Sequence, residues 1–74
     1  MKTEYAVIGF EFGGFAVDIL QVDAPLKMFQ KHGYQYRTRG LSVHGKPVRR
    51  GRGIHPTIDK AIEAAKQKIR EANG

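Results

Sequence analysis

Three patterns predict an α+β fold for this 74-residue chain: an antiparallel sheet of three or four strands, one face covered by a C-terminal amphipathic helix, in the order ββαβ(β)α. Apolar residues alternate on both sides of a Gly-Gly pair, which marks a hairpin. A second alternating stretch starts at Tyr34. Residues 57–72 carry an Ile and Ala stripe at helical spacing. With no internal repeat or linker, residues 1–74 read as one small domain.

The first hairpin is "EYAVIGFEFGGFAVDILQV", with strands at Glu4 to Phe12 and Phe15 to Val22 and a turn at Gly13-Gly14. A two-residue turn sets Phe12 opposite Phe15, Phe10 opposite Val17 and Ile8 opposite Ile19, an apolar face that must be covered. The other face pairs Glu11 with Ala16, Gly9 with Asp18, Val7 with Leu20 and Tyr5 with Val22. Its apolar far end, with an open strand edge, predicts a homodimer.

Asp23 and Pro25 predict a short helix through "APLKMFQKH", ending at Gly33 in the left-handed position, with Leu26 and Phe29 on its buried side. "YQYRTRGLSV" then reads as a strand, irregular at Gly40, with Tyr34 and Tyr36 on one face and Arg37 and Arg39 on the other. "HGKP" is a turn, and Val48 to Arg52 either returns as a fourth strand or stays a loop. In the last segment Ile58, Ala61, Ile62, Ala65, Ile69 and Ala72 fall at i, i+3, i+4, i+7, i+11 and i+14. Thr57 is the expected N-cap, Asp59 suits the positive end of the helix dipole, and Lys68 and Arg70 suit the negative end. This helix is expected to lie on Phe10, Phe12, Phe15 and Val17.

The chain is near the size at which one core barely offsets conformational entropy. It has no Cys and only three His, so neither a disulfide nor a structural zinc site is expected. No basic n-region leads into an apolar run and no long apolar stretch occurs. Neither a signal peptide nor a membrane span is therefore expected, and a cytoplasmic setting is the default.

Net charge is +6, unevenly spread. Residues 1–23 set Lys2 against Glu4, Glu11, Asp18 and Asp23, for −3; residues 24–58 hold eight Lys or Arg and no acid; residues 59–74 come to +1. Such a basic block steers polyanions.

The residues speak against catalysis. Ser42 and His44 lack a third member of a triad and read as a solvated turn. His32, His44 and His55 lack metal-ligand spacing and read as surface histidines. Glu11 and Asp18 could form a carboxylate pair but suit the wet side of a hairpin. "GKPVRRGRG" precedes a helix, yet it departs from the phosphate-loop pattern and Pro56 removes one amide from the helix entrance, so only simple anion binding fits. No enzyme and no cofactor is expected.

The functional expectation rests on the basic block. Arg37, Arg39, Lys46, Arg49, Arg50 and Arg52, interleaved with Tyr34 and Tyr36, are the candidate nucleic-acid or partner-binding residues; five of the six cations are Arg, suited to bidentate phosphate or guanine contacts. The plainer alternative is a solubilising surface. The order of strands, the basic "GKPVRRG" turn and "HPTIDKAIEAAKQKI" resemble the end of three-stranded-sheet-plus-helix DNA-binding domains of the AP2-like and integrase arm-binding type, over about thirty residues. That resemblance implies a sheet entering the major groove, with Arg37, Arg39, Arg49 and Arg50 as groove or phosphate contacts. The chain departs from the pattern in its segment 24–32 and in lacking tryptophan. A second class remains open: a small protein inhibitor or adaptor, of the kind phages encode against host factors. It would dock the Arg block on an acidic protein surface, with Tyr34, Tyr36 and Phe29 as anchors.

Overall fold

The computed structural model describes residues 4–41 and 48–74. It is an α+β fold: β1 (Tyr5–Phe12), β2 (Phe15–Asp23), β3 (His32–Gly40) and β4 (Arg49–Arg50) form an antiparallel sheet in the order β1-β2-β3-β4, and α1 (Ile58–Asn73) packs on one face. The alternative at residues 48–52 resolves as a two-residue edge strand pairing Arg50 with Arg37 and Arg49 with Thr38. The "HGKP" turn and residues Ser42, Val43, His44 and Lys46 lie outside the described residues.

Gly13 and Gly14 have φ 56° and 84°, the left-handed pair a two-residue hairpin turn requires. The expected pairs Phe12 with Phe15, Phe10 with Val17 and Ile8 with Ile19 are present. Beyond Ile8 the register shifts: Ala6, not Val7, faces Leu20, and Tyr5 faces Gln21, not Val22. The irregularity turns Val7 toward the helix side, where it packs against the core. Val7 is partly buried there, and partial burial of a valine is worth about 1 kcal/mol, which offsets much of the cost of one disturbed ladder position.

Val17 and Ile19 from β2 and Ala61, Ala65 and Ile69 from α1 form the core centre, with Phe10, Phe12, Phe15, Tyr34, Tyr36, Ile58 and Ile62 packed around it. The alanines let the helix approach the sheet, while Ile69 reaches the hairpin turn. A Cβ on Gly13 would lie 2.6 Å from Ile69 Cγ2. Thr57 caps the helix, its Oγ1 accepting the Lys60 N–H at 3.1 Å. At the other end Asn73 Nδ2 donates to Gly13 O at 3.0 Å. Ala72, expected on the buried stripe, is exposed.

The predicted helix over residues 24–32 is replaced by a three-residue 3-10 turn, Leu26–Met28. β2 and β3 stay paired out to Asp23 and His32, and the Ala24 N–H reaches Lys31 O at 3.2 Å. Extending the ladder satisfies backbone groups that a two-turn helix would leave open at its ends. Gly33 lies within β3, and what it provides is space: a Cβ there would overlap Ile54 Cγ2 and sit 3.6 Å from Met28 Sδ. Phe29, not Gly33, takes the left-handed conformation.

Those two side chains lie over Gly33, the cross-strand partner of Val22, on the face away from α1. Val22 and Leu20 are only 7% and 2% exposed. The apolar far end that predicts a homodimer is therefore closed within one chain, and Tyr5, opposite Gln21 in the row of Tyr34, stands exposed on the helix side instead.

Candidate nucleic-acid interface

Cross-strand partners share a face, so the sheet sorts the basic block. Tyr34, Tyr36, Thr38 and Arg49 face the helix side; Gln35, Arg37, Arg39 and Arg50 face away from it. Alternation in β3 thus parts the tyrosines from Arg37 and Arg39 as expected. Tyr34 and Tyr36 are half-buried against the core, and the Tyr36 ring lies over Gly51, where a Cβ would meet three ring atoms.

The helix-free face carries acids among its arginines. Arg37 Nη2 donates to Asp18 Oδ2 at 2.7 Å, across the β2–β3 ladder. Gly9, opposite Asp18 on β1, leaves room for that carboxylate: a Cβ there would be 3.1 Å from Asp18 Oδ1. Asp18 is thus held as the partner of Arg37. Arg50 Nη2 reaches Glu4 Oε1 at 2.6 Å, joining β4 to the residue before β1 at the opposite edge. Both pairs are partly exposed and each stabilises by about 1 kcal/mol at most. Their larger effect is on the field, because each cancels a cation of the block.

Arg39, Arg49 and Arg52 are exposed, and among the described residues none of them is ion-paired. They gather along the β3–β4 edge. Arg39 lies near the end of β3; Arg49 points the other way, into a groove of about 650 Å³ whose lining includes Phe15, Thr38, Lys68 and Glu71. Arg52 follows on the segment that runs along β3, which is tied to it by Gly51 N–H to Tyr36 O (2.9 Å) and His55 N–H to Tyr34 O (2.7 Å). Lys46 lies outside the described residues. On the far side of the helix Lys66 Nζ and Arg70 Cζ stand 5.4 and 5.5 Å from the Phe12 ring centroid, covering that ring.

Leu26 and Phe29, assigned to a buried helix side by their spacing, are each 95% exposed. Phe29 has φ 53°, which costs a non-glycine residue about 1 kcal/mol. Phe29→Gly is expected to raise the stability of the chain by up to about 1 kcal/mol, read as a higher midpoint in urea, because an almost fully exposed ring surrenders no packing. An unchanged or lower midpoint would mean the ring is covered in solution.

No protein-family model, curated protein or solved structure matches the chain. Among the described residues no three His, Asp or Glu side chains gather as a metal site, and no helix is long and apolar enough to cross a membrane.

Proposed function

We propose that the chain is a non-catalytic nucleic-acid-binding module that grips the phosphate backbone along the β3–β4 edge, with Arg39, Arg49 and Arg52 as its principal contacts. The observation that carries this reading is the partition of the basic block: Arg37 and Arg50 are paired with Asp18 and Glu4, while Arg39, Arg49 and Arg52 line one edge without an ion pair among the described residues. Arginine forks suit phosphate oxygens, and Arg49 on β4 and Arg39 on β3 point to opposite faces of the sheet near the same edge, which lets them straddle a strand of backbone.

The AP2-like resemblance would instead send the helix-free face into the major groove. That face holds Glu4, Glu11 and Asp18 beside Arg37, Arg39 and Arg50, and such a balance disfavours a polyanion. Contacts made mainly to phosphates position a nucleic acid without reading its sequence, so weak sequence preference is expected.

A chemical-shift map of the ¹⁵N-labelled chain titrated with a short duplex and with oligo-dT, at about 0.15 M salt, tests the proposal. Perturbation of the Arg39, Arg49 and Arg52 amides, with the Tyr34 amide unmoved, is the expected result. If neither oligonucleotide shifts that edge, nucleic-acid binding is excluded and the inhibitor or adaptor reading takes its place.

A further inference from the structure

We infer that Leu26 and Phe29 form an apolar wedge that packs against nucleobases, so that the Arg edge holds the backbone while this turn engages a base; the inference rests on the nucleic-acid reading above. The two side chains are the most exposed large apolar groups among the described residues. They are not a loose tip. The Met28 N–H donates to Pro25 O at 3.0 Å and the Phe29 N–H to Leu26 O at 3.1 Å, closing the turn around both residues. Gln30 Nε2 donates to His32 O (2.7 Å) and to Pro56 O (3.0 Å), and Met28 points inward over Gly33. The turn is built to present Leu26 and Phe29 outward, with Phe29 in a left-handed backbone conformation that its own side chain does not favour.

Charge says what covers them. Lys27 and Lys31 stand on the same turn, so the occupant has an anionic border around an apolar surface. A second copy fits badly. Across a twofold axis the two lysine pairs would face each other, and the groove beside Phe15 and Thr38 carries two cations, Arg49 and Lys68, against the single acid Glu71. A nucleic acid meets both requirements, with phosphates for the lysines and the π face of a base for Phe29.

Placement agrees. Gln30 ties the turn to Pro56, at the end of the segment that carries Arg49 and Arg52 along β3. Arg39 and Lys31 thus stand at the two ends of β3, roughly 26 Å or about eight base pairs of duplex apart, with Arg52 on the segment that runs between them. The shared chemistry is the face of a base, supplied either by an unpaired nucleotide or by a duplex step opened by the wedge.

The chain has no tryptophan, so Phe29→Trp introduces a single fluorophore that keeps an aromatic face. Its emission is expected to be quenched by oligo-dT if the base is unpaired, or by a duplex if a step is opened, with wild-type affinity in either case. Leu26→Ala/Phe29→Ala, which removes no buried group, should weaken that same ligand about tenfold, the effect of one lost stacked base, and leave the salt dependence unchanged.

Arg49→Ala/Arg52→Ala serves as the control. If it weakens binding while Leu26→Ala/Phe29→Ala does not, the Arg edge binds nucleic acid and the wedge is overturned. If the wild-type chain binds neither oligonucleotide, the edge reading and the wedge fall together. A blue shift of the Phe29→Trp emission on phosphatidylserine/phosphatidylcholine vesicles, without quenching by either oligonucleotide, would make the turn a membrane contact and likewise overturn the inference.

Discussion

Ile19→Ala is expected to lower stability by about 2 to 5 kcal/mol, the cost of emptying a fully buried isoleucine site in a core that relaxes only in part. Ile19 is fully buried at the centre of β2 and belongs to the cluster that holds the helix to the sheet. A chain of this length has a total stability of about 4 to 11 kcal/mol, so the variant should lose a large share of its margin and unfold at a clearly lower urea concentration. Ile62→Ala and Phe10→Ala remove groups that pack against the same cluster but are only partly buried, and each should cost less, about 1 to 3 kcal/mol. Urea unfolding of the three variants, read by circular dichroism, orders them. An Ile19→Ala midpoint equal to that of Ile62→Ala would place the core centre elsewhere.

The elements legible in the sequence are those whose signals are local. Gly13-Gly14 fixes the hairpin turn and with it the pairs from Phe12 to Ile8, because a two-residue loop leaves one register open to the residues beside it. Thr57 and the Ile and Ala stripe fix the C-terminal helix for the same reason. Register six residues from the turn is not local. The shift at Val7 depends on what the helix side can bury, and that is known only once α1 lies on the sheet.

Segment 24–31 shows the opposite failure. Its apolar residues recur at helical spacing, but one or two turns of helix are too little to stand without packing. The continued pairing of β2 with β3 decides its conformation and turns Leu26 and Phe29 outward. In the basic block, alternation correctly separated Arg37 and Arg39 from the two tyrosines. Charge counted along the chain put Asp18 in an acidic first third and Arg37 in a basic middle, and the sheet joins them as neighbours. Pairing across strands, invisible to a count along the sequence, therefore selects which cations remain for a partner.

That selection has a measurable consequence in salt. With Arg39, Arg49 and Arg52 on phosphates and a contribution from Lys27 or Lys31, the logarithm of the duplex binding constant should fall against the logarithm of salt with a slope of about −3 to −4. A threefold rise in salt would then weaken binding about thirty- to eightyfold. Arg49→Ala/Arg52→Ala should flatten the slope by about two units with little change in stability, since both residues are exposed on an edge strand and the segment after it. Arg37→Ala should leave the slope nearly unchanged, because its guanidinium already serves Asp18. Asp18→Asn tests the same point with the opposite sign: removing the carboxylate releases Arg37 to the helix-free face, which should strengthen binding and steepen the slope by up to about one unit. Fluorescence anisotropy of a labelled duplex across a salt series measures all four proteins. If Arg37→Ala flattens the slope as much as each edge arginine does, or if Asp18→Asn has no effect, phosphates compete successfully for Arg37 and the interface extends onto the helix-free face of the sheet.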